Sequence, residues 1–84
     1  MVTLPPGLWE RVADFIRGEA TAATAVTPDT ALMTSGLLDS VALIRLAALL
    51  ERETGLSIPD RDVTAEHFDT LLLMQAYVTA RTST

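Results

Sequence analysis

The most regular hydrophobic pattern of the chain lies at residues 41–54. Leucine and alanine recur there with helical spacing and form one apolar stripe: Leu43, Leu46, Ala47 and Leu50. A second stripe lies beside the first and consists of Val41, Ile44 and Ala48. The pattern predicts a helix from about Ser40 to Thr54, ended by Gly55 and apolar over more than half of its circumference. Such a helix either is central to a bundle or presents part of its apolar face to a partner.

A shorter helix is predicted near the N-terminus. The Pro-Pro pair at residues 5–6 suits the first turn of a helix. Leu8, Val12 and Ile16 then form a stripe on one face. Gly18 is expected to end or loosen this helix, because glycine is a common helix terminator.

The C-terminal third of the chain predicts a connector and two helical segments. Residues 56–60 are expected to be extended, since the residue before a proline avoids the helical conformation. The next segment, residues 60–68, holds at most a short helical turn, with Asp62 or Thr64 as its cap. Phe68 is the expected core anchor of this region.

A last helix follows, with Asp69 or Thr70 as its N-cap. Its inward-facing residues have helical spacing: Leu71, Met74 and Val78. We expect Tyr77 at the edge of this face. Arg81 suits the C-terminus of the helix, where a cation is favourable, and residues 82–84 are expected to form a frayed tail.

The segment between the first two helices, residues 18–38, is long for a loop, and loops of this length usually carry function or hidden structure. Residues 20–25 could add a helical turn, and Thr-Pro-Asp-Thr at residues 27–30 is a turn signal. Leu32 and Leu37 are expected to plug the loop into the core. The predicted fold class is all-α: a small four-helix bundle with three longer helices, one short helix and a long loop between the first and second helices.

Length and composition limit the classes of function. The 84 residues suffice for one domain, with a core at about residues 8–78 and flexible termini. A net charge of −5 argues against a nucleic-acid partner. With no cysteine and one histidine, no metal site is predicted. Neither a signal pattern nor a membrane-spanning apolar run occurs, so we expect a cytoplasmic location. We also expect a monomer, since small acidic bundles are often monomeric.

The start of the central helix is the candidate site. Asp39 and Ser40 are both good N-cap residues, because a short side-chain oxygen accepts a hydrogen bond from the first backbone N–H groups. Ser40 should therefore be exposed at a helix N-terminus, where the helix dipole favours a negatively charged substituent. A hydroxyl in this position suits a phosphate ester.

Three motifs in order carry a resemblance to a known family. The first is Gly-Leu-Leu-Asp-Ser-Val at residues 36–41, with Leu32 upstream. The second is Leu-Leu-Glu-Arg-Glu-Thr-Gly-Leu-Ser-Ile-Pro-Asp at residues 49–60, and the third is Phe-Asp-Thr-Leu at residues 68–71. With these motifs in this order, in a chain of this size and charge, the sequence resembles the acyl carrier and peptidyl carrier proteins over about residues 8–78.

The resemblance implies a function for Ser40. In that family, a phosphopantetheinyl transferase moves 4′-phosphopantetheine from coenzyme A onto the motif serine, and the thiol of this arm holds an acyl or aminoacyl group as a thioester. The carrier is not an enzyme and delivers this group to enzymes. The implied partners are the transferase, an adenylating enzyme or acyltransferase that loads the arm, and synthases or tailoring enzymes of polyketide, nonribosomal peptide or related biosynthesis.

The resemblance also implies four residues that partners recognise: Asp39, Val41, Ile44 and Arg45. Asp39 would help the transferase to recognise the serine, although a plain helix cap also explains an aspartate there. Val41 looks like the family's exposed aliphatic contact, with ordinary core as the rival interpretation. The helix is less acidic than in many fatty-acid carriers, which suggests a different partner set. The Gly-Leu-Leu-Asp-Ser motif at residues 36–40 looks more like that of discrete aminoacyl, peptidyl or polyketide-type carriers, whose partners act in trans.

Two other functions stay open from the residues alone. A helical adaptor without a prosthetic group would use Ser40 only as a cap, since a fold does not determine a function. A hydrolase that uses Ser40, His67 and Asp39 is disfavoured by the absence of a Gly-x-Ser-x-Gly motif. His67 is expected at the surface or half-buried beside Phe68. A further group of acids is expected to be a solvated face rather than a metal site: Asp60, Asp62 and Glu66.

Overall fold

Four α-helices form the fold in the computed structural model, which describes residues 4–19 and 26–82. They are α1 (Leu8–Glu19), α2 (Ser40–Thr54), α3 (Ala65–Phe68) and α4 (Leu71–Thr82), and a 3₁₀ turn (Asp60–Asp62) precedes α3. No strand, and no helix long and apolar enough to cross a membrane, occurs in the described ranges. The predicted all-α fold, with three longer helices and one short one, is confirmed. The helical turn expected at residues 20–25 lies outside the described residues, as do residues 83–84 of the tail.

The apolar stripe of α1 packs into the bundle as predicted. Leu8, Val12 and Ile16 are buried, and α1 contacts α2. Gly18 lies within α1, so the expectation that it ends the helix is wrong. A glycine inside a helix costs only about 1 kcal/mol relative to alanine, and burial of the stripe outweighs this cost.

The core receives side chains from every helix and from the loop between α1 and α2. Its largest fully buried members are Phe68, Leu8, Ile16, Leu32, Leu46, Leu50, Met74, Val12 and Val78. The prediction of Phe68 as a core anchor is therefore confirmed. Leu32 brings the loop into the core as expected, whereas Leu37 is only partly buried against it.

Tyr77 lies in the core with 8% of its surface exposed, and not at the edge as predicted. Its ring centroid is 5.6 Å from that of Phe68 and 4.8 Å from that of His67. Its hydroxyl donates a 2.7 Å hydrogen bond to Asp62, which satisfies the buried polar tip. Burial raises the pKa of Tyr77, and the bond to Asp62 raises it further. Asp62 also lies 3.8 Å from the Arg81 guanidinium, so this acid belongs to an internal contact rather than to a solvated face.

Gly55 ends α2 as predicted. Its φ of 77° is in the left-handed region, and its N–H donates to the Glu51 carbonyl at 2.8 Å. The connector that follows is not helical, its Pro59 has an extended backbone, and the Ile58 N–H donates a 2.8 Å hydrogen bond to the Glu51 carboxylate. These bonds fix how the chain leaves the central helix.

For α3 and for α4, one of the two predicted cap residues is at the cap position and the other is bonded elsewhere. Thr64 is the N-cap residue of α3, although its side chain makes no capping hydrogen bond, and Asp62 is bonded to the core tyrosine instead. Thr70 caps α4, because its hydroxyl accepts a 3.1 Å hydrogen bond from the Leu73 N–H. The other candidate, Asp69, has a different role.

The carboxylate of Asp69 binds the loop between α1 and α2. Its Oδ1 accepts from three consecutive backbone N–H groups, those of Leu32 at 3.2 Å, Met33 at 2.8 Å and Thr34 at 3.0 Å. Its Oδ2 accepts from the Thr34 hydroxyl at 2.9 Å. These bonds, above all the one from the Thr34 N–H, hold the pKa of Asp69 below its ordinary value against the opposing effect of burial.

Replacing Ile16 by valine should lower the free energy of unfolding by about 0.5–1.5 kcal/mol, because the methyl group removed is fully buried. The same change at Ile44, which is 56% exposed, should alter it by about 0.5 kcal/mol or less. Urea unfolding of Ile16→Val and Ile44→Val beside wild type measures both differences. Equal losses would contradict the inner position of Ile16 and the outer position of Ile44.

The lowered pKa of Asp69 predicts acid sensitivity. Such a carboxylate contributes stability above the pKa of an unfolded aspartate, about 3.9, and this contribution is lost as the pH falls through the folded value. The free energy of unfolding of wild type should therefore fall more steeply between about pH 5 and pH 2 than that of Asp69→Asn, which has no carboxylate to protonate. Urea titrations across this range measure the two slopes, and parallel profiles would contradict the role of the charge.

Candidate functional site

Asp39 and Ser40, the two candidate caps, have different roles at the N-terminus of α2. Asp39 is the N-cap: its backbone is extended, and its carboxylate accepts a 2.8 Å hydrogen bond from the Ala42 N–H. Ser40 is the first residue of the helix and is exposed, as predicted. Within the described residues its hydroxyl has no hydrogen-bond partner, because Asp39 does the capping. The hydroxyl is therefore accessible for chemistry.

A closed loop leads into Asp39. The Gly36 N–H donates to the Met33 carbonyl at 3.0 Å, and the Leu38 N–H donates to the Leu32 carbonyl at 2.9 Å. Gly36 has a φ of 77°, which a side chain would strain, so the glycine of the motif has a backbone reason. Buried Leu38 holds the end of the loop in the core, and the next two residues emerge at the surface.

An open groove with a volume of about 180 Å³ lies beside Ser40. The loop, α2 and the segment around the 3₁₀ turn contribute its lining: Met33, Ser40, Leu43, Ile44, Asp60 and Val63. Most of this lining is apolar, and Asp60 adds an exposed carboxylate. The sequence patterns did not indicate that Met33, Asp60 and Val63 line a groove beside Ser40. Only the tertiary fold brings the loop and the segment around the 3₁₀ turn next to α2.

The outer stripe of α2 is exposed at the same end of the helix. Val41 is 54% exposed and Ile44 is 56% exposed, so Val41 belongs to the surface and not to the core. The guanidinium of Arg45 is also exposed and lies 3.0 Å from the Glu19 carboxylate of α1. The four predicted recognition residues are thus all exposed at the start of α2 or directly before it: Asp39, Val41, Ile44 and Arg45. The inner stripe of α2 is buried, which confirms its central place in the bundle, and its outer stripe is exposed. Contact of this outer stripe with a partner stays a prediction.

The geometry does not assemble a serine hydrolase site. His67 is half-buried and stacks beside Tyr77, and it does not line the groove at Ser40. The carboxylate of Asp39 is bonded to the backbone of α2. Within the described residues no group of three or more histidine or acidic side chains is placed to hold a metal ion.

A family-level sequence profile described as the phosphopantetheine attachment site matches residues 10–78, which is most of the chain. No curated protein matches the chain significantly. Domains of the matched family are non-catalytic carriers that bind 4′-phosphopantetheine covalently. The resemblance to acyl and peptidyl carrier proteins is thereby confirmed, and the chain belongs to the phosphopantetheine attachment site family.

Proposed function

We propose that this carrier domain bears 4′-phosphopantetheine on Ser40 and presents acyl or aminoacyl groups to enzymes of polyketide, nonribosomal peptide or related biosynthesis. The observation that carries the proposal is the exposed hydroxyl at the first residue of α2, inside the matched range 10–78, which has no hydrogen-bond partner among the residues that the structure describes. The proposal includes a monomeric carrier in the cytoplasm whose partner enzymes act in trans.

The surroundings of Ser40 suit a phosphodiester. The first turn of a helix holds N–H groups that lie outside the intrahelical hydrogen bonds, and the helix dipole adds positive potential there. No acidic residue lies in the first turn of α2. The neighbouring Asp39 directs its carboxylate to the Ala42 N–H. A negatively charged group on Ser40 is therefore favoured by the end of the helix.

Transfer of the group needs a base that the carrier does not supply. The Ser40 oxygen attacks the pantetheine-side phosphorus of coenzyme A, an O–P bond forms, the pyrophosphate bond breaks and adenosine bisphosphate leaves. We assign the base that takes the serine proton to the transferase, because the Asp39 carboxylate already accepts a backbone hydrogen bond. Once attached, the group supplies a terminal thiol that holds the cargo as a thioester.

The groove beside Ser40 can cover a short part of the arm or of its cargo. Its volume of about 180 Å³ lies below the roughly 300–1,000 Å³ of sites that enclose a drug-sized ligand. Met33, Leu43 and Val63 gain from contact with apolar atoms there, because such contact removes apolar surface from water. We expect the groove to cover atoms near the attachment point and to leave the thiol accessible to partners.

Partner enzymes would dock around Ser40 on four exposed residues: Asp39, Val41, Ile44 and Arg45. A partner that covers the two aliphatic side chains gains about 25 cal/mol for each Å² of apolar surface removed from water. The Glu19 carboxylate compensates the charge of Arg45. Docking should therefore depend more on apolar contact than on salt-sensitive charge attraction.

Incubation with coenzyme A, magnesium and a broad-specificity phosphopantetheinyl transferase should add one phosphopantetheine to the wild-type chain. Ser40→Ala should gain nothing, because the acceptor oxygen is gone. Ser57→Ala changes an exposed serine in the connector after α2 and should be modified like wild type. Intact-protein mass spectrometry measures all three, and circular dichroism verifies that each variant is helical.

Two results would count against the proposed attachment. A mass gain on Ser40→Ala would place the group on another residue. No gain on helical wild type, with a transferase that is active on a control carrier, would favour a helical adaptor without a prosthetic group. The Ser57→Ala control excludes a general effect of removing a surface hydroxyl.

Ile44→Asp should lower kcat/KM of the transferase for this carrier by about tenfold, the equivalent of ~1.4 kcal/mol of lost docking energy. The charge would have to be desolvated where an apolar contact was made. Leu72→Asp is the matched control on α4, since Leu72 is 53% exposed and Ile44 is 56% exposed. Steady-state kinetics measure both variants, and equal losses would contradict α2 as the docking surface.

A further inference from the structure

We infer that Asp69 is a positioning residue for the reaction at Ser40, acting through the loop that leads into α2. The inference rests on the proposed attachment at Ser40 and adds a residue from the junction of α3 and α4. The carboxylate of Asp69 bonds to residues 32–34 and not to Ser40. Its effect on the reaction therefore passes through the loop.

Three consecutive N–H groups converge on one oxygen of Asp69. Leu32, Met33 and Thr34 donate to Oδ1 over 2.8–3.2 Å, and the Thr34 hydroxyl donates to Oδ2 at 2.9 Å. Hydrogen bonds to a charged acceptor are about twice as strong as those between neutral groups. The Leu32 N–H also donates to the Asp69 backbone carbonyl at 2.7 Å, a bond that does not depend on the side chain. A neutral or shortened side chain in place of Asp69 would therefore weaken the hold chiefly on Met33 and Thr34.

The segment that Asp69 holds is one end of the closed loop before α2. Hydrogen bonds from Gly36 to Met33 and from Leu38 to Leu32 tie the two ends of residues 32–38 together. A displacement at residues 32–34 is therefore transmitted to the end of the loop, where Asp39 and Ser40 follow directly. The position of the acceptor hydroxyl depends on this path.

The same segment forms one wall of the groove. Met33 lines the groove with Ser40, and the Met33 N–H makes the shortest of the three bonds to the Asp69 oxygen. Asp69 is itself held in place, because it lies in the chain between the buried residues Phe68 and Leu71. The core is thus coupled to the groove wall through the Asp69 carboxylate.

Transferase kinetics with the carrier as the varied substrate test the inference on wild type, Asp69→Asn and Asp69→Ala. A loosened loop lowers the fraction of carrier in the competent arrangement, which raises the apparent KM by the reciprocal of that fraction and leaves kcat unchanged. We expect KM to rise about tenfold in Asp69→Ala and about threefold in Asp69→Asn, which keeps one acceptor oxygen.

Two control variants separate positioning from a general loss of stability. Glu51→Gln neutralises a carboxylate that also accepts a backbone hydrogen bond, from the Ile58 N–H at 2.8 Å, at the other end of α2. Ile16→Val weakens the core by lost burial alone. Both should keep KM within about twofold of wild type, because neither side chain makes a hydrogen bond to residues 32–38.

A KM for Asp69→Ala equal to those of the two controls would overturn the inference. Failure of the proposed function is a distinct outcome, since wild type itself would then gain no phosphopantetheine. If Asp69→Ala does not fold, Thr34→Val tests the positioning role of Asp69, because this substitution removes only the hydroxyl contact to Asp69. It should raise KM about twofold and speed hydrogen exchange of the Met33 amide, and no change in either would overturn the inference.

Discussion

The hydrogen bonds between the Asp69 carboxylate and the loop backbone are the constraint on which the rest of this domain depends. Apolar burial holds α1, α2 and α4 together, but burial has no direction and does not select one path for a long loop. Hydrogen bonds are directional, and those from Leu32, Met33 and Thr34 select the path. The Asp39 cap sets where α2 begins, and the bonds from Asp69 set the path of the loop that leads to this cap and lines the groove beside Ser40.

Features with a local cause could be predicted from the sequence. The stripes of α1, α2 and α4 follow helical spacing because each helix buries one face. The left-handed conformation at Gly55 follows from the freedom of glycine. The exposure of Ser40 at a helix start likewise needs only the cap chemistry of Asp39 and the apolar run behind it. The family motifs coincide with these local requirements, which is why fold and function could be inferred together.

Features that join distant parts of the chain could not be predicted. Asp69 looked like a helix cap because a short acidic side chain before a helix has that local use, and its actual donors lie in another segment. The sequence places Tyr77 at the edge of the inward face of α4, and its burial depends on Asp62, which the fold brings to its hydroxyl. The position of Val63 in the groove could not be predicted for the same reason, since the other lining residues come from the loop and from α2.

Asp39, and not Ser40, caps α2, and this has a thermodynamic consequence for a carrier that is modified and then loaded. Asp39 caps α2 through the Ala42 N–H, and within the described residues the serine oxygen makes no hydrogen bond. An ester formed on that oxygen breaks no contact of the scaffold. If Ser40 bears the proposed arm, the unmodified, modified and cargo-bearing forms would share the cap of α2 formed by Asp39, and passage between them would require no rearrangement of that cap.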